Sequence, residues 1–306
     1  MVVLLVMALA VLSVDVFLLS QRNVTTLVDF DDALAGFRAA PAVAAPIDET
    51  TTSTATPSTT TSTTSSAPPT SPGATSPGTT PPGSAPPAAP PTTAAPAGPA
   101  GYTAPAPGVY TYRTVGSERI SLASAKHQYP ERTYATVRHG TGCEWQYRNE
   151  VVKEHVDMLQ ICSQPGRLTQ VEQRRDVTFF GQTEGGSARC DPALVLHGAD
   201  LAPGHRIETT CASSDGSSFV LTRTFRGHDQ RRIGGRTIDV VVVDLESIMT
   251  GKKRGRSADT LWLAADSGLL VGWERMVDTV ADTAYGASVH YTEEASFELE
   301  SLTPSQ

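Results

Sequence analysis

Seventeen of the chain's 22 prolines fall between Pro41 and Pro107, and that stretch divides the sequence into parts that cannot share one fold. Of its 67 residues, 57 are Pro, Thr, Ala or Ser, and only Asp48 and Glu49 are charged. A segment of this composition has too little apolar surface to offset its ordering entropy, so residues 41–107 are expected to form a disordered linker. As a flexible coil it would span about 45 Å, and as a fully polyproline-like chain up to about 200 Å. Either would act as a stalk, and its Thr and Ser clusters are candidate O-glycosylation acceptors.

Ahead of the linker, Met1 to Leu19 is apolar except for Ser13 and Asp15. Nineteen residues at the helical rise give about 28 Å, enough to cross a hydrocarbon core. No Lys or Arg precedes the run, Phe17-Leu18-Leu19-Ser20-Gln21 is a poor cleavage site, and no lipobox Cys follows. Residues 1–20 are therefore read as an uncleaved transmembrane signal anchor, with Asp15 near the interface. Arg22 lies on the outer side with no positive charge inside, against the positive-inside rule, as it would if a basic leader lay upstream. Residues 21–40 form a juxtamembrane segment. Asp31-Asp32 before Ala33-Leu34-Ala35 suits a helix N-terminus, and Leu34 and Phe37 would share one face. Such a helix is expected to lie on the bilayer.

Residues 108–306 carry all four Cys, all three Trp and all seven His. Short strand signals separated by turns dominate, and no helix-period stretch exceeds about ten residues. Tyr110 and Tyr112 share a face, Gly234-Gly235 marks a turn, and Ile238 to Leu245 is apolar on both faces, as in a central strand. In the last strand Val289, Tyr291, Ala295, Phe297 and Leu299 alternate with polar residues. The expected fold class is mainly β, with about nine to eleven strands in a large twisted antiparallel sheet or open half-barrel, below one transmembrane helix and a disordered linker.

The even cysteine count in an exported domain reads as disulfides. Hairpins near Val152 and Pro203-Gly204 would bring Cys143 to Cys162 and Cys190 to Cys211, so that pairing is expected. A zinc site would want Cys-x-x-Cys or a Cys/His cluster, and neither occurs.

No residue set declares a reaction. There is no Gly-x-Ser-x-Gly, Ser-x-x-Lys, Walker loop or His-Glu-x-x-His. His139-Gly140-Thr141-Gly142-Cys143 is similar to the compact His-Gly-Cys turn of cell-wall cysteine transpeptidases, but two further residues intervene and Cys162 is at hand as a bridge partner. Glu294, Glu298 and Glu300 share a solvent face, and Lys252-Lys253-Arg254-Gly255-Arg256 reads as a solvated hairpin turn. Trp145, Tyr147, Trp262 and Trp273 sit at strand spacing and read as core, with an aromatic-lined groove as the other option. No catalytic, cofactor-binding or metal-binding residue is assigned. A net charge of −8 argues against nucleic acid as a partner.

The organisation resembles a group of actinobacterial membrane-anchored proteins with a Pro/Thr-rich stalk. The resemblance rests on Val24 to Thr26, Asp31 to Ala33, Phe37-Arg38 and Pro107 to Tyr112. Phe179-Phe180-Gly181-Gln182 and Leu261-Trp262-Leu263 with Gly268-Leu269 are inner echoes. More remotely, the repeated strands and the last of these hairpins look like half-barrel envelope domains of the lipoprotein-carrier type. The resemblance implies a location, a single-pass membrane protein with an extracytoplasmic C-terminal domain, rather than an activity. The expected function is a non-catalytic module binding an envelope lipid, glycan or protein. The alternative is a cell-wall hydrolase or transferase built from dispersed Asp, Glu and His.

Overall fold

A computed structural model describes residues 26–40, 101–121, 126–179, 182–282 and 288–306. The apolar run assigned to the anchor and most of the Pro/Thr/Ala/Ser segment lie outside the described residues. What is described is one short helix, α1 (Phe30–Ala39), and fourteen strands in a single antiparallel sheet. The strands are β1 (Gly108–Ile120), β2 (His127–Gln128), β3 (Arg132–His139), β4 (Glu144–Val152), β5 (His155–Gln164), β6 (Arg167–Phe179) and β7 (Gln182–Asp191). They continue with β8 (Leu194–Gly198), β9 (Arg206–Ser213), β10 (Ser217–Ile233), β11 (Arg236–Gly251), β12 (Lys253–Ala264), β13 (Leu270–Asp282) and β14 (Ser288–Leu299).

The hydrogen-bonded order runs β14-β13-β12-β11-β10-β9-β7-β6-β5-β4-β3-β1, with β2 added to β1 and β8 paired to β6. The ends of this path also pair, from Tyr112↔Leu299 to Ile120↔Tyr291. The mainly β, antiparallel reading holds, with more strands than the nine to eleven expected. The sheet does not stay open between its first and last strands. Pairing there removes the unsatisfied backbone edge that an open sheet would have to protect.

Side-chain alternation explains why one face of each strand is buried. Tyr110 and Tyr112 of β1, Trp145 and Tyr147 of β4, and Phe297 and Leu299 of β14 all enter one core cluster. Each buried large apolar side chain contributes about 1.5–3 kcal/mol of transfer free energy. In β11, Val240, Val241, Val242 and Val243 are all buried, as a central strand between β10 and β12 requires. At Gly234 and Gly235 both φ values are positive, +55° and +82°. A two-residue hairpin turn of that hand matches strand twist and favours glycine.

Residues 101–107, assigned to the linker by composition, already belong to the fold. Tyr102 packs against the core, its hydroxyl meets His197 Nδ1, and the Thr103 amide donates to Asp266 O at 3.0 Å.

Helix α1 starts at Asp29, whose Oδ1 accepts from the Asp32 amide at 2.7 Å, so the capping acid precedes the Asp31-Asp32 pair. It does not lie free as a bilayer-facing helix. Val28, Ala33 and Val109 form a small buried cluster, with Phe30, Leu34, Phe37 and Tyr134 packed against it. The physical reason is a matching apolar patch on β1 and β3 together with an arginine that satisfies the helix C-terminus. Arg138 donates to Gly36 O (2.8 Å) and Ala40 O (2.9 Å), and also to Phe37 O.

Candidate functional site: a buried charge network beneath an outer groove

Inside the sheet, the inward positions of six strands carry polar groups where a β core normally has apolar ones. Glu118 (β1), His155 and Asp157 (β5), Arg175 (β6), Asp259 (β12), Arg275 (β13), and Tyr291 and Glu293 (β14) converge there with Tyr129 from the segment between β2 and β3. Glu118 Oε2 lies 3.1 Å from His155 Nδ1 and accepts from Tyr291 Oη at 2.9 Å, while its Oε1 meets His127 Nδ1 at 3.1 Å. Asp157 accepts from Arg175 Nε at 2.9 Å and from Arg275 Nη1 at 2.8 Å, and lies 3.3 Å from His155 Nε2. Arg275 Nε reaches Asp259 Oδ1 at 2.8 Å, which also accepts from Trp273 Nε1 at 2.9 Å. Arg175 Nη2 and Tyr129 Oη close the network on the two oxygens of Glu293, at 3.2 and 3.0 Å.

Protonation follows from these neighbours. Burial alone would pull His155 down, but the Asp157 charge and hydrogen bonds to Asp157 and Glu118 raise it to about 10. Burial would raise Asp157, yet Arg175 and His155 hold it at about 2. Glu118, against the same burial penalty, is held well below the carboxylate range by hydrogen bonds from His127 and His155. Asp259 goes the other way: burial raises it to about 7, opposed by the Trp273 hydrogen bond and the Arg175 charge. His155 is thus an imidazolium bracketed by two carboxylates. Each charge in the network is answered by another, as buried charges must be.

A pH profile should expose this arrangement. His155 is raised from 6.5 to about 10, so its contribution is complete below pH 6.5 and is lost as pH rises through 10. Asp157 is depressed from 3.8 to about 2, so its contribution is complete above the ordinary carboxylate range and is lost as pH falls through 2. Asp259 is raised from 3.8 to about 7, so its contribution favours the acid side and fades between those values. Stability should peak at mildly acidic pH and decline to pH 10. Urea denaturation of His155→Gln should show a flatter alkaline limb than the parent; an unchanged limb would assign the decline to other groups.

Above the network, on the outer face of β11–β14, lies an open groove of about 720 Å³. Two outward rows build it: Glu246, Ala258, Met276 and Glu294 in register across four strands, and beside them Ile248, Arg256, Asp278 and Thr292. Ile248 and Met276 are 66% and 63% exposed. Charges of both signs surround them, with Lys126 at one lip.

The cysteines pair as the hairpin spacing indicates. Cys143 is bridged to Cys162 and Cys190 to Cys211. His139 Nε2 meets Pro105 O at 2.7 Å, so the His-Gly-Thr-Gly-Cys turn holds neither a free thiol nor a base facing one. Glu298 and Glu300 pair with Arg113 and, at 3.0 Å, Arg132 on the surface. Of the basic cluster only Lys252 lies in the turn between β11 and β12; Lys253, Arg254 and Arg256 are on β12, where Lys253 pairs with Asp215 at 2.7 Å and Arg254 with Asp282. Trp145, Tyr147, Trp262 and Trp273 are buried, so the groove is aliphatic and charged instead of aromatic.

The sequence reading missed the network itself. In β5, His155 and Asp157 point inward while Val156 and Met158 do not, the inverse of the usual pattern. Glu293 fills an inward position between Tyr291 and Ala295, and that break in the β14 alternation was the available signal. One further group stands apart. Arg223 on β10 is fully buried, and its Nε, Nη1 and Nη2 have no hydrogen-bond partner among the described residues. Nothing in the structure explains it.

No known protein family and no curated protein matches the chain. Among solved structures, the hypothetical lipoprotein YmcC from Escherichia coli (K12) is similar at 17% identity, covering 64% of this chain and 85% of that chain, with a TM-score of 0.30.

Proposed function

We propose that the chain is a membrane-anchored, extracytoplasmic module of the cell envelope that binds a protein partner through the groove on β11–β14. The observation that carries the reading is the anatomy of that groove. Exposed aliphatic side chains at Ile248 and Met276 are ringed by Glu246, Arg256, Asp278 and Glu294, which is how protein interfaces divide between an apolar centre and a polar rim. A glycan platform would want exposed aromatic faces, and the groove lining has none. Two disulfides support an oxidising compartment. The apolar run at residues 1–20 supports the anchor.

The rival reading, a hydrolase or transferase, needs convergent acids open to substrate. The network converges, but Asp157 and Glu118 are spent on Arg175, Arg275, His155 and His127, and Glu293 is sealed beneath Tyr129 and Tyr291. A photo-crosslinking amino acid placed at Ile248 or Met276 in producing cells should give one discrete protein adduct, absent from a control at exposed Arg232 on β10. Adducts equal at all three positions, or none at 248 and 276, would remove the groove as the binding surface.

A further inference from the structure

The attachments of residues 26–40 determine how the β domain can sit on a tether. At the start of this segment, the Thr26 amide donates to Glu154 Oε2 at 2.9 Å and Thr26 O accepts from the Lys153 amide at 3.0 Å. Both partners lie in the turn between β4 and β5. Asp32 adds an ion pair to Lys153 Nζ at 2.7 Å. At the end of the segment, Ala40 O is held by Arg138, and Arg38 donates to Gln306 O at 2.8 Å. The chain is next described at Gly101, and Pro105 O meets His139. Residues 40 and 105 are therefore tied to consecutive residues, Arg138 and His139, at the far end of β3. Strand β4, running from one of these ends to the other, covers nine residues, or about 30 Å at the usual strand rise.

We propose that residues 26–40 are a docked strap that holds the β domain directly against the membrane. The end carrying the β4–β5 turn faces the lipid, and the Pro/Thr/Ala/Ser segment, whose flanking residues 40 and 105 are both held at the opposite end, is an insertion and not the tether of the domain. This rests on the anchor reading of residues 1–20 proposed above. Only residues 21–25 separate the end of that run from the docked Thr26, a reach of at most about 18 Å. A stalk would place the domain about 45 Å or more away. Antiparallel alternation puts the β9–β10 and β11–β12 turns on the same end as Lys153 and Glu154, because Ser217 pairs with Gly251 at that end. The interaction surface is thus the set of turns at that end, and its partner is the bilayer.

A specific protease site inserted in the full chain within residues 41–100 tests the strap. After cleavage without reduction, the two fragments should co-elute on size exclusion and the β domain should stay with the membrane fraction. No disulfide links them, since the described cysteines all lie in the C-terminal fragment. Separation of the fragments would overturn the strap. Ala33→Asp, which places a charge in the small docking cluster, should release the domain on cleavage while leaving the near-ultraviolet spectrum of the uncleaved protein unchanged. A soluble uncleaved chain would remove the anchor reading, and co-elution would still report on the strap alone.

Orientation is read in vesicles carrying a headgroup-labelled lipid. Energy transfer from a dye at exposed Thr250 should exceed transfer from one at exposed Arg236 on the opposite end several-fold. Equal, weak transfer at both sites would overturn the membrane-facing assignment.

Discussion

Replacing Asp157 by Ala should destabilise the β domain by about 3–5 kcal/mol, the usual cost of removing one partner of a buried ion pair. Asp157 answers three positive groups at once: Arg175 at 2.9 Å, Arg275 at 2.8 Å and the His155 imidazolium at 3.3 Å. Truncation leaves them facing one another with only Glu118, Glu293 and Asp259 in reach, and burial already favours the neutral form of Asp259. The cost is then desolvated repulsion as well as a lost contact. Asp157→Asn keeps the shape and one acceptor oxygen but not the charge, so it should fall between the parent and the Ala variant. Urea denaturation near pH 6 separates the three proteins. A loss below about 1 kcal/mol for the Ala variant would mean that water enters and screens the network, as it does for exposed pairs.

Why this network escaped a sequence reading while the disulfides did not is a matter of contact range. Cys143 and Cys162 are 19 residues apart across one hairpin, and Cys190 and Cys211 are 21 apart, so turn signals place them together. Glu118 and Tyr291 are 173 apart, and Asp157 and Arg275 are 118 apart. They meet only because the sheet path returns from β14 to β1, and no local pattern encodes that pairing. Binary patterning also misleads where the interior is polar. Val156 and Met158 look like core residues beside His155 and Asp157, and the structure reverses the faces. The helix was legible in its paired acids and its Leu34/Phe37 face. What that face packs against, Val109 and Tyr134, lies beyond the Pro-rich segment and was not.

The bridge between Cys190 and Cys211 should matter more than its loop length indicates. Separations of 21 and 19 residues give nearly the same chain-entropy stabilisation for the two bridges, about 3 kcal/mol each. Their surroundings differ. Cys143–Cys162 closes a hairpin already held by a ladder from Glu144↔Cys162 to Val152↔His155. Cys190–Cys211 joins β7 to β9 where the ladder runs only from Ala188↔Ser213 to Asp191↔Thr210, with β8 intervening in the chain. Cys190→Ser combined with Cys211→Ser should therefore cost the full 2–5 kcal/mol typical of a native bridge and should speed amide exchange in both β7 and β9. Cys143→Ser with Cys162→Ser should cost less, with faster exchange confined to the open end of β4 and β5. Denaturant titration with site-resolved hydrogen exchange on the two double variants makes the comparison. Equal losses without faster exchange at residues 188–191 and 210–213 would show that the short ladder holds without its bridge, and that loop entropy alone accounts for both disulfides.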